Sequence, residues 1–439
     1  MAMSVPQKKQ RGPIGAARNG RIVADGENDL MPRLLWLFSF VNLIIGTAAF
    51  SLTGILSELA AGLGVGIPAA GQAMTAYALS TAVLAPALLV ATGGWPRRRV
   101  LLLGMGLFCA GCAACALAPS LAWLLAGRVL MGAGAVYIPV AAGIAITLVA
   151  PERRGQALAL VFLGMSLSYV VGLPLAAWVT AAAGFRAALW GAVALALGGW
   201  ALLAWRVPRG IQAPGASFAG LGRVLGRADV LSVLALTLAY FVAIFVVFSY
   251  IAPVLRSLVP MSAGRLSLTL SLFGVAGMLG TLLGGAATDR FGARRMLAVQ
   301  LLVLGSTMAL LPLTAGHWGA MMAVMIVWGV AGFGMMAPQQ SRLATLAPRE
   351  APLLLSLNSS MLYLGTALGA AIGGALAPLL GFANLAWPSV AAVLLSLALL
   401  VWGGRIERRL NPAAPAPSAA ADAMPASPTR AAGDGGAAQ

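Results

Sequence analysis

Three cysteines at a spacing of three, Cys109, Cys112 and Cys115, form a C-x-x-C-x-x-C string, and thiolates spaced this way can ligate a metal or an iron–sulfur cluster. On a helix the spacing keeps them near one face. No His or carboxylate stands close enough in sequence to complete a ligand set, and small residues are what helix-packing faces use. The string therefore reads as packing, with no metal, no cofactor and no required disulfide. His317, the sole histidine, falls in a short stretch between apolar runs, where an interfacial position suits it better than a proton relay. The acids Asp25, Glu27, Asp29, Glu58, Glu152, Asp229, Asp289, Glu350, Glu407, Asp422 and Asp434 all lie in tails, turns or at run ends. No acid, base and nucleophile converge, so the chain is not expected to be an enzyme.

One charge does fall inside an apolar run. Arg128 would cost at least ~2.5 kcal/mol at the centre of a bilayer, so it must face the protein interior and find a partner. Two readings stay open: a structural one, in which the guanidinium satisfies helix-end carbonyls or groups such as Asn42 and Gln72, and one in which it meets an anionic or strongly polar ligand. Amides and phenols in other runs, Asn42, Gln72, Tyr77, Tyr137, Tyr240, Gln339, Asn358 and Tyr363, could give orientation-specific hydrogen bonds in an apolar pocket. The alternative for each is an interhelical hydrogen bond.

The elements that position these groups follow from composition. Of 439 residues 60% are hydrophobic and only 9% charged, with mean hydropathy +0.93, whereas about a quarter of the residues of a soluble protein are charged. Such a chain folds in lipid. Runs long enough to cross a ~30 Å hydrocarbon core occur near 34–56, 69–91, 100–118, 121–148, 155–182 and 187–205. A second set follows near 230–255, 263–287, 296–314, 318–346, 352–380 and 383–403. This predicts an all-α membrane protein of twelve transmembrane helices.

The two sets are copies. APERRGQALAL at 150–160 returns as APREAPLLLSL at 347–357, and Gly184-Phe185 with Trp190 returns as Gly381-Phe382 with Trp387. The basic pairs Arg98-Arg99 and Arg294-Arg295 keep nearly the same offset. Two similar halves of spanning helices are the signature of a secondary transporter, whose site lies between them. The expected organisation is a tail, 1–33; a six-helix half, 34–206; a linker, 207–228; a second half, 229–404; and a tail, 405–439. The last is Ala-, Pro-, Ser- and Gly-rich and expected to be disordered.

A net charge of +17 could suggest nucleic acid, but its distribution argues otherwise. All Lys and Arg except Arg128, Arg186, Arg256 and Arg265 fall in the N-tail, alternate turns, the linker and the C-tail, which is the positive-inside pattern. It predicts cytoplasmic termini. The apolar run after residue 33 is too long for a removed signal peptide.

The segment GGAATDRFGARR, Gly284 to Arg295, resembles the loop signature G-x-x-x-D-R-x-G-R-R of the major facilitator superfamily. Its counterpart TGGWPRRR is degenerate, with Gly93 where the acid would stand. Arg128 with Gly132 and Gly134 is similar to the superfamily's R-x-x-x-G-x-G, and Gly164, Gly172 and Pro174 to the pattern its exporters carry on helix 5. Gly369 and Gly373, with Gly365 and Gly374, mark the eleventh run as a packing surface. GTAAF, ELAAGLGV and GQAMTAYALSTAVLAPALL, within 46–89, look like the drug and sugar efflux branch that includes arabinose-, chloramphenicol- and purine-nucleoside-efflux permeases.

The resemblance implies two pseudo-symmetric six-helix halves in a bacterial-type inner membrane, exporting a small organic molecule by alternating access. An uptake symporter or facilitator for a small metabolite, anionic if Arg128 serves it, is the alternative. The expected partners are the substrate, the lipid bilayer and protons as a candidate co-substrate; no nucleic acid is expected, and the chain is expected to be monomeric. Many branch members carry an acid where Ala49 stands, before Phe50, which argues for weak proton coupling. The resemblance also assigns gating to Asp289, Arg290, Gly292 and Arg294, and to Arg98 and Arg99. Asp289 should approach the start of the fifth helix, near Arg153–Gln156, when that side closes. A receptor or sensor would need a soluble output domain or a long ordered tail, and the sequence presents neither.

Overall fold

The structure is a computed structural model describing residues 19–150, 153–209, 211, 221–347 and 350–410. Glu152, Arg349, most of the linker and the tail beyond 410 lie outside the described residues. With no water in the bilayer core, each spanning segment must satisfy its backbone internally, which selects helices. Among the described residues twelve helices are long and apolar enough to cross a membrane.

The first half contains α1 (Arg33–Gly54), α2 (Ile67–Ala91), α3 (Arg97–Leu117), α4 (Leu121–Thr147), α5 (Gly155–Ala183) and α6 (Phe185–Arg206). The second contains α7 (Ala228–Phe248), α8 (Ala263–Phe291), α9 (Ala293–Thr314), α10 (Trp318–Leu346), α11 (Leu353–Leu380) and α12 (Phe382–Arg409). Within the halves α1 packs on α5, α3 on α4 and α6, α7 on α11 and α12, and α8 on α10. The halves meet where α2 packs on α11 and α5 on α8.

Several boundaries depart from the sequence expectation. Helical backbone begins at Asn19, inside the expected tail, and continues unbroken to Gly54. At the other end it runs through Leu410. The linker carries a short helix, Leu221–Leu225. Long apolar runs also conceal breaks: α4 divides into Leu121–Gly134 and Tyr137–Thr147, and α10 into Trp318–Phe333 and Met336–Leu346. After α1 and α7 the chain turns into matching short helices, Leu56–Leu63 and Ile251–Leu258. Helix α5 contains one π-helical turn, Ser168–Gly172.

Close helix packing is built on small residues. Gly164 on α5 lies so near the Ser39 carbonyl of α1 that a methyl group there would overlap it, and Gly373 on α11 stands in the same relation to the Val246 carbonyl. Gly132 and Gly134 face α2 and α3, Gly172 faces Thr47, and Gly369 faces α7. Where lipid tails are as apolar as the side chains, association rests on this close packing and not on water exclusion. Cys109, Cys112 and Cys115 are free and buried, with the Cys115 thiol directed to the Leu124 carbonyl at 3.7 Å.

Candidate functional site

The turns at 92–96 and 292 share one face of the bundle with the ends of α4 and α6, and we call it the basic face. Among the described residues, the side-chain contacts that join the halves lie between the bundle centre and the opposite face. At that face Glu58 accepts a hydrogen bond from Arg256 Nη1 at 2.7 Å. One layer deeper the Tyr250 hydroxyl reaches the Ala370 carbonyl at 3.0 Å and the Pro68 carbonyl at 3.5 Å. Its ring leaves no room for a methyl group on Gly71. Ser267 donates to the Pro174 carbonyl at 3.2 Å, tying α8 to α5.

At the centre the contact is aromatic. Tyr77 on α2 meets Tyr363 on α11 edge-on, with ring centroids 6.5 Å apart. Tyr169, inside the π-helical turn of α5, sits among rings of both halves: Phe50 at 5.0 Å, Phe333 at 4.8 Å and Phe248 at 5.9 Å. Phe245 continues the cluster from α7, 6.2 Å from Phe50. Such rings supply flat, sequence-tolerant surface for apolar or planar ligands, with phenol hydroxyls as polar handles.

Sequence reasoning put nine polar residues in one pocket, and the structure separates them. Tyr77 and Tyr363 lie between the halves with Gln72, whose amide lies against Gly374 of α11. The others are engaged inside single halves. Asn42 donates to the Val161 carbonyl at 2.9 Å, and Tyr137 is buried edge-on against Phe38. Tyr240 donates to the Gly332 carbonyl at 2.9 Å. Gln339 donates to Val233 and Thr237, and Thr237 donates to Asn358 at 2.6 Å. For Asn42, Tyr240, Gln339 and Asn358 the physical reason is common: a buried polar group takes the nearest partner, and in a tight bundle that is a neighbouring helix; the Tyr137 hydroxyl is buried without one among the described residues.

Arg128 is also revised. Its Nη1 donates to the carbonyl of Ala49 at 2.9 Å, not to Asn42, Gln72 or a helix end. Its guanidinium carbon lies 5.9 Å from the centre of the Tyr77 ring.

The gating residues stay within their own halves in this conformation. Arg98 donates to the Ala204 carbonyl at 2.5 Å, and Arg99 is exposed on the same turn. Arg294 lies against Gly404 of α12. Arg290 stacks over its neighbour Phe291 before the turn at Gly292, where φ is +82°. Asp289 is exposed and makes no hydrogen bond or ion pair among the described residues. The ion pairs of this face are local: Arg342 with Glu407 at 2.5 Å and Arg227 with Asp229 at 2.7 Å. The Asp229 hydrogen bond holds the Arg227 guanidinium still further above its ordinary range.

Tyr169 and the phenylalanines are the functional candidates that polar-residue reasoning missed. The available signal was tyrosine itself: of six in the chain, Tyr169 and Tyr250 stood outside the polar set, and Tyr169 lies between Gly164 and Gly172.

Two six-helix halves joined across a central aromatic cluster, and tied by side-chain contacts at the face opposite the basic one, have the architecture of a transporter of the alternating-access class. The chain belongs to the Major Facilitator Superfamily, whose sequence profile matches residues 38–262 and 233–432. It is a multi-pass secondary transporter of some small molecule, not an enzyme. It is 32% identical over 359 residues to the inner membrane transport protein YdhP of Escherichia coli K12, covering 81% of this chain and 92% of that one. With the uncharacterized transporter YbcL of Bacillus subtilis it shares 27% identity over 381 residues, 86% of this chain and 97% of that one. Among solved structures it resembles a D-xylose–proton symporter (TM-score 0.69, 17% identity, covering 83% and 96% of the two chains). It also resembles a bacterial homologue of the lysosomal transporter Spinster in an inward-facing conformation (TM-score 0.68, 16% identity, 86% and 97%). These likenesses concern the fold.

Proposed function

We propose that this protein exports a small, largely apolar organic molecule across a bacterial inner membrane, with the basic face and both termini in the cytoplasm. The observation that carries the reading is the asymmetry of closure: Glu58–Arg256 and Tyr250–Pro68 join the halves opposite the basic face, while Asp289, Arg98 and Arg294 do not join them at it. An exporter collects cargo from the cytoplasm in this state and an importer releases it there, so the direction rests on the resemblance of residues 46–89. The distribution of Lys and Arg favours that orientation, and the inner-membrane relative at 32% identity favours that membrane. The resemblance of residues 46–89 to the efflux branch favours the direction.

Tyr77, Tyr169 and Tyr363, with Gln72, Phe50 and Phe333, form the proposed binding surface. Its grip is stacking and phenol hydrogen bonding, since it includes no charged side chain. Coupling to protons is proposed to be weak, because Ala49 replaces an acid and no carboxylate lies at mid-membrane.

The test is flux in proteoliposomes with the protein oriented basic face inward, against a panel of planar neutral, cationic and anionic compounds. Export of neutral planar members, lost in Tyr169→Leu, is expected. Uptake without export, or transport confined to anions, would overturn the proposal.

A further inference from the structure

Arg128 poses an electrostatic problem that the hydrogen bonds of the structure leave unsolved. Its side chain is 1% exposed, about seven residues and so roughly 10 Å along α4 from the face opposite the basic one. A guanidinium does not give up its proton in a protein, so the charge persists. Yet its hydrogen-bond partner is a neutral carbonyl, that of Ala49, and its Nε is buried without a partner. No ion pair reaches it among the described residues. An isolated charge in such surroundings requires a counter-charge.

Beside it the structure holds a cavity of about 10 Å³, room for a single water-sized body. Arg128 shares the walls with Ala48 and Leu52 of α1, Cys112 and Cys115 of α3, and Leu189 of α6. Cys115 directs its thiol to the Leu124 carbonyl; the Cys112 thiol makes no hydrogen bond among the described residues.

We propose that this cavity is a binding site for one small monovalent anion of halide size, chloride being the abundant example, held by the Arg128 guanidinium with the Cys112 thiol as a second donor. A water molecule fits the volume but leaves the charge uncompensated. Aliphatic walls suit a weakly hydrated halide better than a phosphate or a carboxylate, whose several oxygens would need more donors than the lining offers. The site is separate from the aromatic surface between the halves, since its walls come from the first half alone: the anion neutralises Arg128, 5.9 Å from the Tyr77 ring, without travelling with the cargo.

The experiment uses the full chain purified in detergent with gluconate as the anion, titrated with sodium chloride or bromide at constant ionic strength. A saturating rise in unfolding temperature is expected with either halide, and bromide-soaked crystals should show an anomalous peak next to Arg128. Ala48→Asp, which places a carboxylate in the cavity wall, should fold and lose the halide response. Arg128→Gln should lose it too where the variant folds. An unfolding temperature identical in gluconate and chloride overturns the proposal. So does a halide response that persists in folded Ala48→Asp. If neither variant folds, bromide in wild-type crystals decides: a peak at Arg128 sustains the site, and its absence rejects it.

Discussion

Glu58 Oε1 accepts a hydrogen bond from Arg256 Nη1 at 2.7 Å, joining two short helices, Leu56–Leu63 and Ile251–Leu258, that occupy equivalent places in the two halves. The bond spans the pseudo-symmetry axis at the closed face. Both side chains are about a third exposed, 35% and 31%, which limits such a pair to about 0.2–1 kcal/mol. Its contribution is a bias between conformations, not global stability.

Glu58→Gln is therefore expected to favour opening of that face by up to about five-fold, and high salt should have the same effect on the wild type. Distance measurements between spin labels on the two short helices read the shift directly. A population indifferent to both the substitution and salt would show that Tyr250 and its neighbours alone hold the face shut.

Tyr169 should tolerate loss of its hydroxyl better than loss of its ring. Ring pairs contribute about 0.5–1.5 kcal/mol each, and Tyr169 makes such contacts with Phe50, Phe248 and Phe333. For a compound selected by the flux panel, Tyr169→Phe should bind within a few-fold of the wild type and Tyr169→Leu at least ten-fold more weakly. Equal binding by both variants would move the site elsewhere.

Asp289 is free of partners among the described residues in this conformation, so Asp289→Asn should leave its stability unchanged. Its effect belongs to the opposite state, in which a carboxylate near the start of α5 would gain up to ~1 kcal/mol from the helix dipole. Labelling of cysteines from the basic face should therefore increase in Asp289→Asn. If Gly93→Asp changes labelling while Asp289→Asn does not, the first-half turn governs closure.

A protonophore should leave most of the export of a non-titrating substrate intact, because the acids of the chain lie at helix ends, turns and tails. Abolition of concentrative export by the protonophore would contradict this and direct attention to Glu58.

The spans, their duplication and the basic turns were legible because each is written in composition or in approximate repetition at a fixed offset. The breaks in α4 and α10 and the destination of each polar side chain were not. These helices are apolar towards both lipid and protein, so periodicity does not mark which face meets a neighbour. Asn42 and Tyr363 are equally plausible ligands in sequence. Only the approach of Gly164 to Ser39, which brings Val161 within reach of Asn42, separates them.

The π-helical turn at Ser168–Gly172 has no counterpart in α11, which is continuous from Ala351 to Leu380. Such turns widen a helix by one residue and weaken its hydrogen-bond ladder locally. At the proposed site the cargo would therefore meet unlike walls, one a rod and the other jointed at the residue that carries the central ring. When the halves rock, α11 transmits the motion whole, while α5 can turn Tyr169 independently of the helix ends. Amide hydrogen exchange should register this as faster exchange at 168–172 than at 365–369; equal protection would mean that α5 moves as rigidly as its partner.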